Sequence, residues 1–247
     1  MLSSIQTQSC HREGKRLYSV KSFKVVCAAD IHGSSLALAK VSGTARDAGA
    51  DLVIIAGDIV LHQIYNGFID LLYKAARHAN CPIFAVAGNH DYWKAEKHFP
   101  ENQLYIGGKK EVTKKSVVIL HDCSIRYRGI KFWGSPWTAK YGNWNWQVPN
   151  DELSFSPPRD TNVLITHSPG FGYGDRTADG RRIGSEALTE TIANLRHLML
   201  HVFGHNHHDG GWKGQMNNAT LINAACHTED MLFQPRGIVV TDIPLQQ

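Results

Sequence analysis

Five short clusters in the sequence gather residue types that hold metal ions: Asp30-x-His32, Gly57-Asp58, Gly88-Asn89-His90-Asp91, the lone His167, and Gly204-His205-Asn206-His207. Together they offer hard oxygen donors and imidazoles, and no thiolate. That donor set suits divalent manganese, iron or zinc better than a sulfur-rich structural site. Residues i and i+2 on an extended segment face the same way, so Asp30 and His32 can reach one ion together, as can His205 and His207. Glycines beside the donors (Gly33, Gly57, Gly88, Gly204) let the backbone turn sharply and approach closely. A buried carboxylate at a strand end is costly unless something pairs with it. Asp30, His32, Asp58, Asn89, His167, His205 and His207 are too many donors for one ion and suit two that share a carboxylate. Two ions roughly 3.5–4 Å apart fit in-line displacement at phosphorus.

Each cluster follows a short apolar run, and those runs must position it. FKVVCAAD (23–30), DLVIIAGD (51–58) and CPIFAVAGNHD (81–91) read as buried strands. Helical spacing fills the gaps between them. Leu36, Ala39 and Ala45 lie in 34–49, with Gly49 as a stop. Phe68, Leu71, Leu72 and Ala75 share a face of 65–80. The alternation β-α-β-α-β predicts a parallel sheet with crossover helices, and polar clusters at strand C-termini are where such sheets build sites. Farther on, residues 116–135 read as two or three short strands, with Arg128-Gly129 as a hairpin turn. Strands follow at 161–167, 197–205, 219–225 and 237–243. A helix over 184–196 has Ser185 as its N-cap and Leu188, Ile192 and Leu195 on one face.

The chain has 247 residues, 43% hydrophobic and 19% charged, the composition of a globular protein. No apolar run approaches the roughly 18 residues of a membrane span. Arg12, Lys15, Arg16, Lys21 and Lys24 against Glu13 place the whole +4 excess in the first 24 residues. The rest is neutral, which argues against a nucleic-acid binder. Residues 1–22 carry no continuous apolar stretch of the secretory kind and read as an N-terminal extension to a single domain over 23–247. The cysteines Cys10, Cys27, Cys81, Cys123 and Cys226 are odd in number and scattered. They form neither a disulfide framework nor a zinc ribbon, so the expected compartment is reducing and cytoplasmic.

The ordered blocks D-x-H, GD, GNHD, a strand-end histidine and GHNH resemble the calcineurin-like metallophosphoesterase family. GSPW (134–137), ITHSPG (165–170), HVFGHNHHDGG (201–211), INAAC (222–226) and FQPRGIVVTDI (233–243) resemble its metallophosphoesterase-domain-containing subgroup, grouped with class III cyclic-nucleotide phosphodiesterases. The resemblance implies a four-layer α/β/β/α sandwich of two mixed sheets flanked by helices. It implies two divalent ions, one held by Asp30, His32, Asp58 and His207, the other by Asp58, Asn89, His167 and His205. It further implies attack by a metal-bridging hydroxide on a small phosphoester or nucleotide, a phosphodiester such as a cyclic nucleotide. His90 would hydrogen-bond the phosphate or protonate the leaving alkoxide, with Asp91 orienting its ring. The alternatives are a phosphomonoesterase or protein phosphatase on the same site, and a non-catalytic metal-binding scaffold. His11, His62, His78, His98, His121, His197 and His201 read as ordinary histidines. His208, His227 and Cys226 are candidates for the pocket's edge. Trp133, Trp137, Tyr141, Trp144 and Trp146 crowd one loop, where they could either stack on a base or pin the loop to the core. The Gly-rich stretch 170–184 carries Arg176, Arg181 and Arg182, which suit either a flexible cap or a solvated loop.

Overall fold

The computed structural model describes residues 22–61, 68–91, 105–106 and 111–245. The expected extension over 1–22 lies almost wholly outside the described residues, as do His11, His62 and His98. Among the described residues, fourteen strands build two six-stranded sheets and one small pair. The strands are β1 (Ser22–Ala28), β2 (Leu52–Ala56), β3 (Ile83–Val86), β4 (Tyr105–Ile106), β5 (Val117–Ile119), β6 (Cys123–Tyr127) and β7 (Ile130–Ser135), then β8 (Thr138–Ala139), β9 (Gln147–Val148), β10 (Val163–Thr166), β11 (Leu200–Phe203), β12 (Lys213–Met216), β13 (Ala219–Asn223) and β14 (Val239–Pro244). The first sheet runs β14-β1-β2-β3-β5-β4 and the second β12-β13-β11-β10-β7-β6. In each, four parallel strands are flanked by an antiparallel strand at either edge.

Period-two alternation explains the layering. Val25, Cys27, Leu52, Ile54, Phe84 and Val118 point from the first sheet onto Phe132, Val163, Ile165, Leu200, Val202 and Ile222 of the second. Their strand neighbours Val26, Val53, Ile55, Ile83 and Val117 point the other way. There they meet α1 (Ser35–Ala48) and α2 (Phe68–Ala79). On the far side of the second sheet, Leu164 and Leu221 pack against Leu188 and Ile192 of α3 (Glu186–Asn194). These are the four layers, α/β/β/α, that the family resemblance implied.

Several local expectations hold. Ser185 caps α3 as expected, accepting from Leu188 N, and Ser34 caps α1, accepting from Ala37 N. Gly49 ends α1 at φ 62°. Arg128 and Gly129 carry the β6–β7 turn with φ of 50° and 83°. One is corrected: α1 buries Ala37, Leu38, Val41 and Ala45, while Leu36 is 56% exposed and Ala39 faces solvent. The stripe at 38, 41 and 45 carries the larger side chains, and that side turns to the sheet. Strand β12, Lys-Gly-Gln-Met, has no apolar run and takes its place from antiparallel pairing with β13.

Candidate metal centre

The parallel strands of both sheets end on one rim, and every candidate donor projects there. Asp30 and His32 follow β1, Asp58 follows β2, Asn89 follows β3, His167 follows β10, and His205 and His207 follow β11. The first sheet thus supplies four donors and the second three. Close approach is possible because glycines precede the donors. A Cβ on Gly88 would lie 2.3 Å from Asp58 Oδ1, and one on Gly204 would lie 2.3 Å from Asp30 Oδ2.

Asp30, His32, Asp58 and His207 present donor atoms that all lie within 4.8 Å of one another. His207 Nε2 is 3.2 Å from Asp30 Oδ1 and 3.1 Å from His32 Nε2. Beside them, His167 Nε2 is 3.4 Å from Asp58 Oδ2 and 3.0 Å from Asn89 Oδ1. The His205 ring lies 5.0 Å from that of His167. Asp58 therefore touches both groups: its Oδ2 is 3.8 Å from His32 Nε2, and its Oδ1 accepts from His90 N at 2.8 Å.

The donor chemistry fits cations. His167 Nδ1 lies 2.9 Å from the Ala56 carbonyl, and His207 Nδ1 lies 3.0 Å from that of Thr228. A carbonyl only accepts, so each Nδ1 carries the proton, and in the neutral ring Nε2 turns a lone pair inward. Carbonyl or carboxylate partners of this kind orient metal-binding imidazoles. Lone pairs of His167, His207, the Asn89 amide oxygen and two buried carboxylates then converge, an arrangement that repels itself unless protons or cations fill it.

Without cations, protons do so. Burial works against a charged His167, yet Asp58, through charge and hydrogen bond, raises its pKa to about 9. Burial works against a charged His207 too, but the bond and charge of Asp30, with the Thr228 carbonyl and the Asp58 charge, together raise it. Burial lowers His32 to about 4, and burial with the neighbouring His167 lowers His205 to about 3. The histidines overcome the burial cost of Asp30 and Asp58 and hold both below the usual carboxylate range.

The structure gives Asp91 a different occupation from the expected one. Its carboxylate accepts from the backbone N–H of Val60 (2.9 Å), Gly88 (2.9 Å) and Ile59 (3.2 Å). It ties the turn after β2 to the turn after β3, and so positions Asp58 and Asn89. The rings of Trp144 and His32 flank that of His90, 4.5 Å and 5.1 Å away. His227 is buried against the first cluster, its Nδ1 2.7 Å from the Asp30 carbonyl and its ring 5.9 Å from His32. Cys226 is a buried thiol of the helix-side core, pushed up to about 12 by burial. His208 is exposed.

A cavity of about 580 Å³ opens over the rim, reaching Asp58, His90, His205, Tyr141, Arg181 and Arg182. The arginine stretch is held by hydrogen bonds at its base, with Arg176, Arg181 and Arg182 exposed. Buried Asp175 accepts from Arg182 Nη1 at 2.5 Å and from Gly172 N at 3.1 Å. The Asn206 amide, within the GHNH block, donates to the carbonyls of Gly174 and Arg176. Asp175 was not legible as a site residue, because it belongs to no spaced donor pattern; Asn206 stood within the GHNH block and Tyr141 and Trp144 within the aromatic loop, but their partners across the fold were not readable.

The family model of the calcineurin-like phosphoesterases matches residues 23–209. A UPF0046 protein of Caenorhabditis elegans is 29% identical over 230 residues, covering 87% of this chain and 74% of its own length. Human metallophosphoesterase domain-containing protein 1 is 29% identical over 133 residues, 51% of this chain and 40% of its own. Another C. elegans UPF0046 protein matches over only 33% of its length, so the aligned segment spans well under half of two of these three relatives. Among solved structures, a Thermus thermophilus protein, TT1561, superposes with a TM-score of 0.58 at 14% identity, covering 83% of this chain and 90% of that one. A dimetal phosphatase from Danio rerio superposes at 0.51 with 11% identity, covering 81% and 86%. With the motif blocks on one rim and the family model spanning them, the chain belongs to the calcineurin-like phosphoesterase family.

Proposed function

We propose that the protein is a dinuclear metal-dependent phosphoesterase that hydrolyses a phosphodiester, with cyclic nucleotides as its substrate class. The carrying observation is the convergence of imidazole, amide-oxygen and carboxylate groups around Asp58, which among the described residues lies beside both clusters, its Oδ2 3.8 Å from His32 Nε2 and 3.4 Å from His167 Nε2. Asp30, His32, Asp58 and His207 would hold one divalent ion, and Asp58, Asn89, His167 and His205 the other. Ions held there would neutralise phosphate charge and acidify a water. The fold shared with the dimetal phosphatase of Danio rerio is in keeping with a two-ion reading. The donor set leaves manganese, iron and zinc all suited.

The chain's own residues divide the remaining work. His90 lines the cavity beside Asp58, where its imidazole can hydrogen-bond a phosphoryl oxygen or give a proton to the leaving alkoxide. Asp91 acts by fixing the two turns. Asp58 and Asn89 are thereby presented from a rigid rim. The cavity is large enough for a nucleotide, within the range of about 300–1,000 Å³ usual for small-ligand sites. Residues 23–247 act as one catalytic domain behind an N-terminal extension. Among the described residues no helix is long and apolar enough to cross a membrane.

The test is hydrolysis by metal-stripped protein reconstituted with Mn²⁺, assayed on 2′,3′-cyclic AMP, 3′,5′-cyclic AMP and p-nitrophenyl phosphate, with Asp58→Ala as blank. Cyclic-nucleotide turnover that vanishes in the variant is expected. Turnover of the monoester alone would overturn the diester assignment in favour of a phosphatase.

A further inference from the structure

Strand ends supply every candidate donor, but one loop reaches them from outside the sheets. The Trp-rich segment 137–148 lies across Asn89, His90 and Asp91 and touches each of them. Asn89 Nδ2 donates to the Tyr141 hydroxyl at 3.2 Å, and Asn145 N donates to the Asn89 carbonyl at 3.2 Å. The Trp144 indole lies 4.5 Å from the His90 ring, inclined 43° to it. Trp146 Nε1 donates to the Asp91 carbonyl at 3.0 Å. The base of the loop is fixed by the β8–β9 pair, by Trp137 Nε1 donating to Asp122 at 2.8 Å, and by contact between Trp137 and Trp146. Tyr141, 62% exposed, is on the cavity wall with its ring 5.5 Å from His205.

We infer that Tyr141 is a positioning residue that orients the Asn89 amide and so sets the metal affinity of the Asn89–His167–His205 half of the centre. The inference rests on the proposed reading of Asn89 as a ligand. The two ends of a carboxamide have nearly the same shape, but only its oxygen can coordinate a cation. Asn89 turns Oδ1 to within 3.0 Å of His167 Nε2 and its NH₂ away, toward Tyr141. The phenol oxygen takes the outward N–H and holds the amide in that sense. Take the hydroxyl away, and the N–H loses its acceptor and the oxygen its fixed direction. Trp144 supports His90, which the proposed function places on the substrate rather than on an ion. The two aromatic residues therefore divide one clasp into a metal-directed half and a substrate-directed half.

The experiment compares wild type, Tyr141→Phe and Trp144→Leu. Metal stoichiometry and stepwise affinity are read by competition with a chromophoric chelator, before kcat and KM are measured at saturating Mn²⁺. Tyr141→Phe should bind the first ion as wild type does and the second about 10- to 100-fold more weakly, the usual loss when a ligand's outer partner is removed. Saturating metal should restore its turnover. Trp144→Leu should keep both affinities and lose kcat. If Tyr141→Phe binds both ions as wild type does, the inference fails while the dinuclear reading stands. Equal weakening in both variants overturns the assignment to the hydroxyl. A wild-type protein that takes up fewer than two ions overturns the dinuclear reading and this inference with it.

Discussion

Asp30, His32, Asp58 and His205 hold φ of 53°, 48°, 49° and 69°, in the left-handed region that side chains other than glycine avoid. Such backbone costs of order 1–3 kcal/mol per residue and persists where packing over-determines it. The rim spends that strain on converging donors. The donors resist crowding in turn, which makes Gly204 a sharp test. In Gly204→Ala the new Cβ meets Asp30 Oδ2 at 2.3 Å and Ala29 Cβ at 2.5 Å. We expect a loss of about 1–3 kcal/mol in urea unfolding, typical of overpacking, together with weaker metal uptake. A second test concerns protons. His167 keeps its proton up to a pH of about 9 in the metal-free protein. Metal binding must expel it. Affinity should therefore rise with pH between 7 and 9, by up to about tenfold per unit for one proton released. Calorimetry in buffers of different ionisation enthalpy reads the proton directly, and a pH-independent affinity would contradict the lone-pair geometry. His90→Ala should keep both ions and lose about 10²- to 10⁴-fold in kcat on a poor leaving group, the usual share of a general acid.

At the level of elements, β11 shows how a strand serves two layers. Leu200 and Val202 face the core between the sheets, while His201 and Phe203 point to the helix side. His201 is fully buried, 2.8 Å from Thr166 Oγ1 on the neighbouring β10, and burial lowers its pKa to about 3. In the unfolded chain it titrates near its ordinary value of 6.5. Its neutral form thus stabilises the fold above pH 6.5, and that contribution is lost as pH falls toward 3. His201→Gln should flatten the acid limb of a stability-versus-pH curve by up to about 1.4 kcal/mol per unit. Unfolding midpoints at pH 7 and pH 5 check the slope. Helix α3 offers a simpler case. Ser185 is buried and caps Leu188 N at 3.2 Å, so Ser185→Ala should cost about 1 kcal/mol.

For the whole molecule, the decisive fact is that the two sheets share one rim. Asp30, His32, Asp58 and Asn89 come from one sheet and His167, His205 and His207 from the other. Ions held between them would cross-link the sandwich at this rim, where four of the donors already sit at positive φ. Binding to the folded state alone stabilises by mass action, about 4 kcal/mol at a thousandfold excess over Kd. Chelation should therefore lower the melting temperature by several degrees while far-ultraviolet circular dichroism is retained, and Mn²⁺ should restore it. An unchanged melting temperature would argue against ions bridging the sheets.

The sequence alone determined what repeats or pairs locally. Continuous apolar runs such as VVCAA and LVIIA marked strands buried on both faces, because a pleated strand turns successive side chains to opposite layers. The motif spacing marked the donors, because i and i+2 share a face. It did not reveal which stripe of α1 is buried, since Leu36 and Leu38 are equally apolar and only the sheet beneath chooses. Nor did it show β12, a polar strand defined by its partner. Asp91 adjoins His90 in sequence, yet it serves amides more than 30 residues back. Tyr141 and Trp144 meet Asn89 and His90 across more than 50 residues of chain. Only the tertiary structure decided those roles, because a carboxylate or an aromatic ring acts on whatever the fold brings within a few ångströms, and chain order carries no record of that distance.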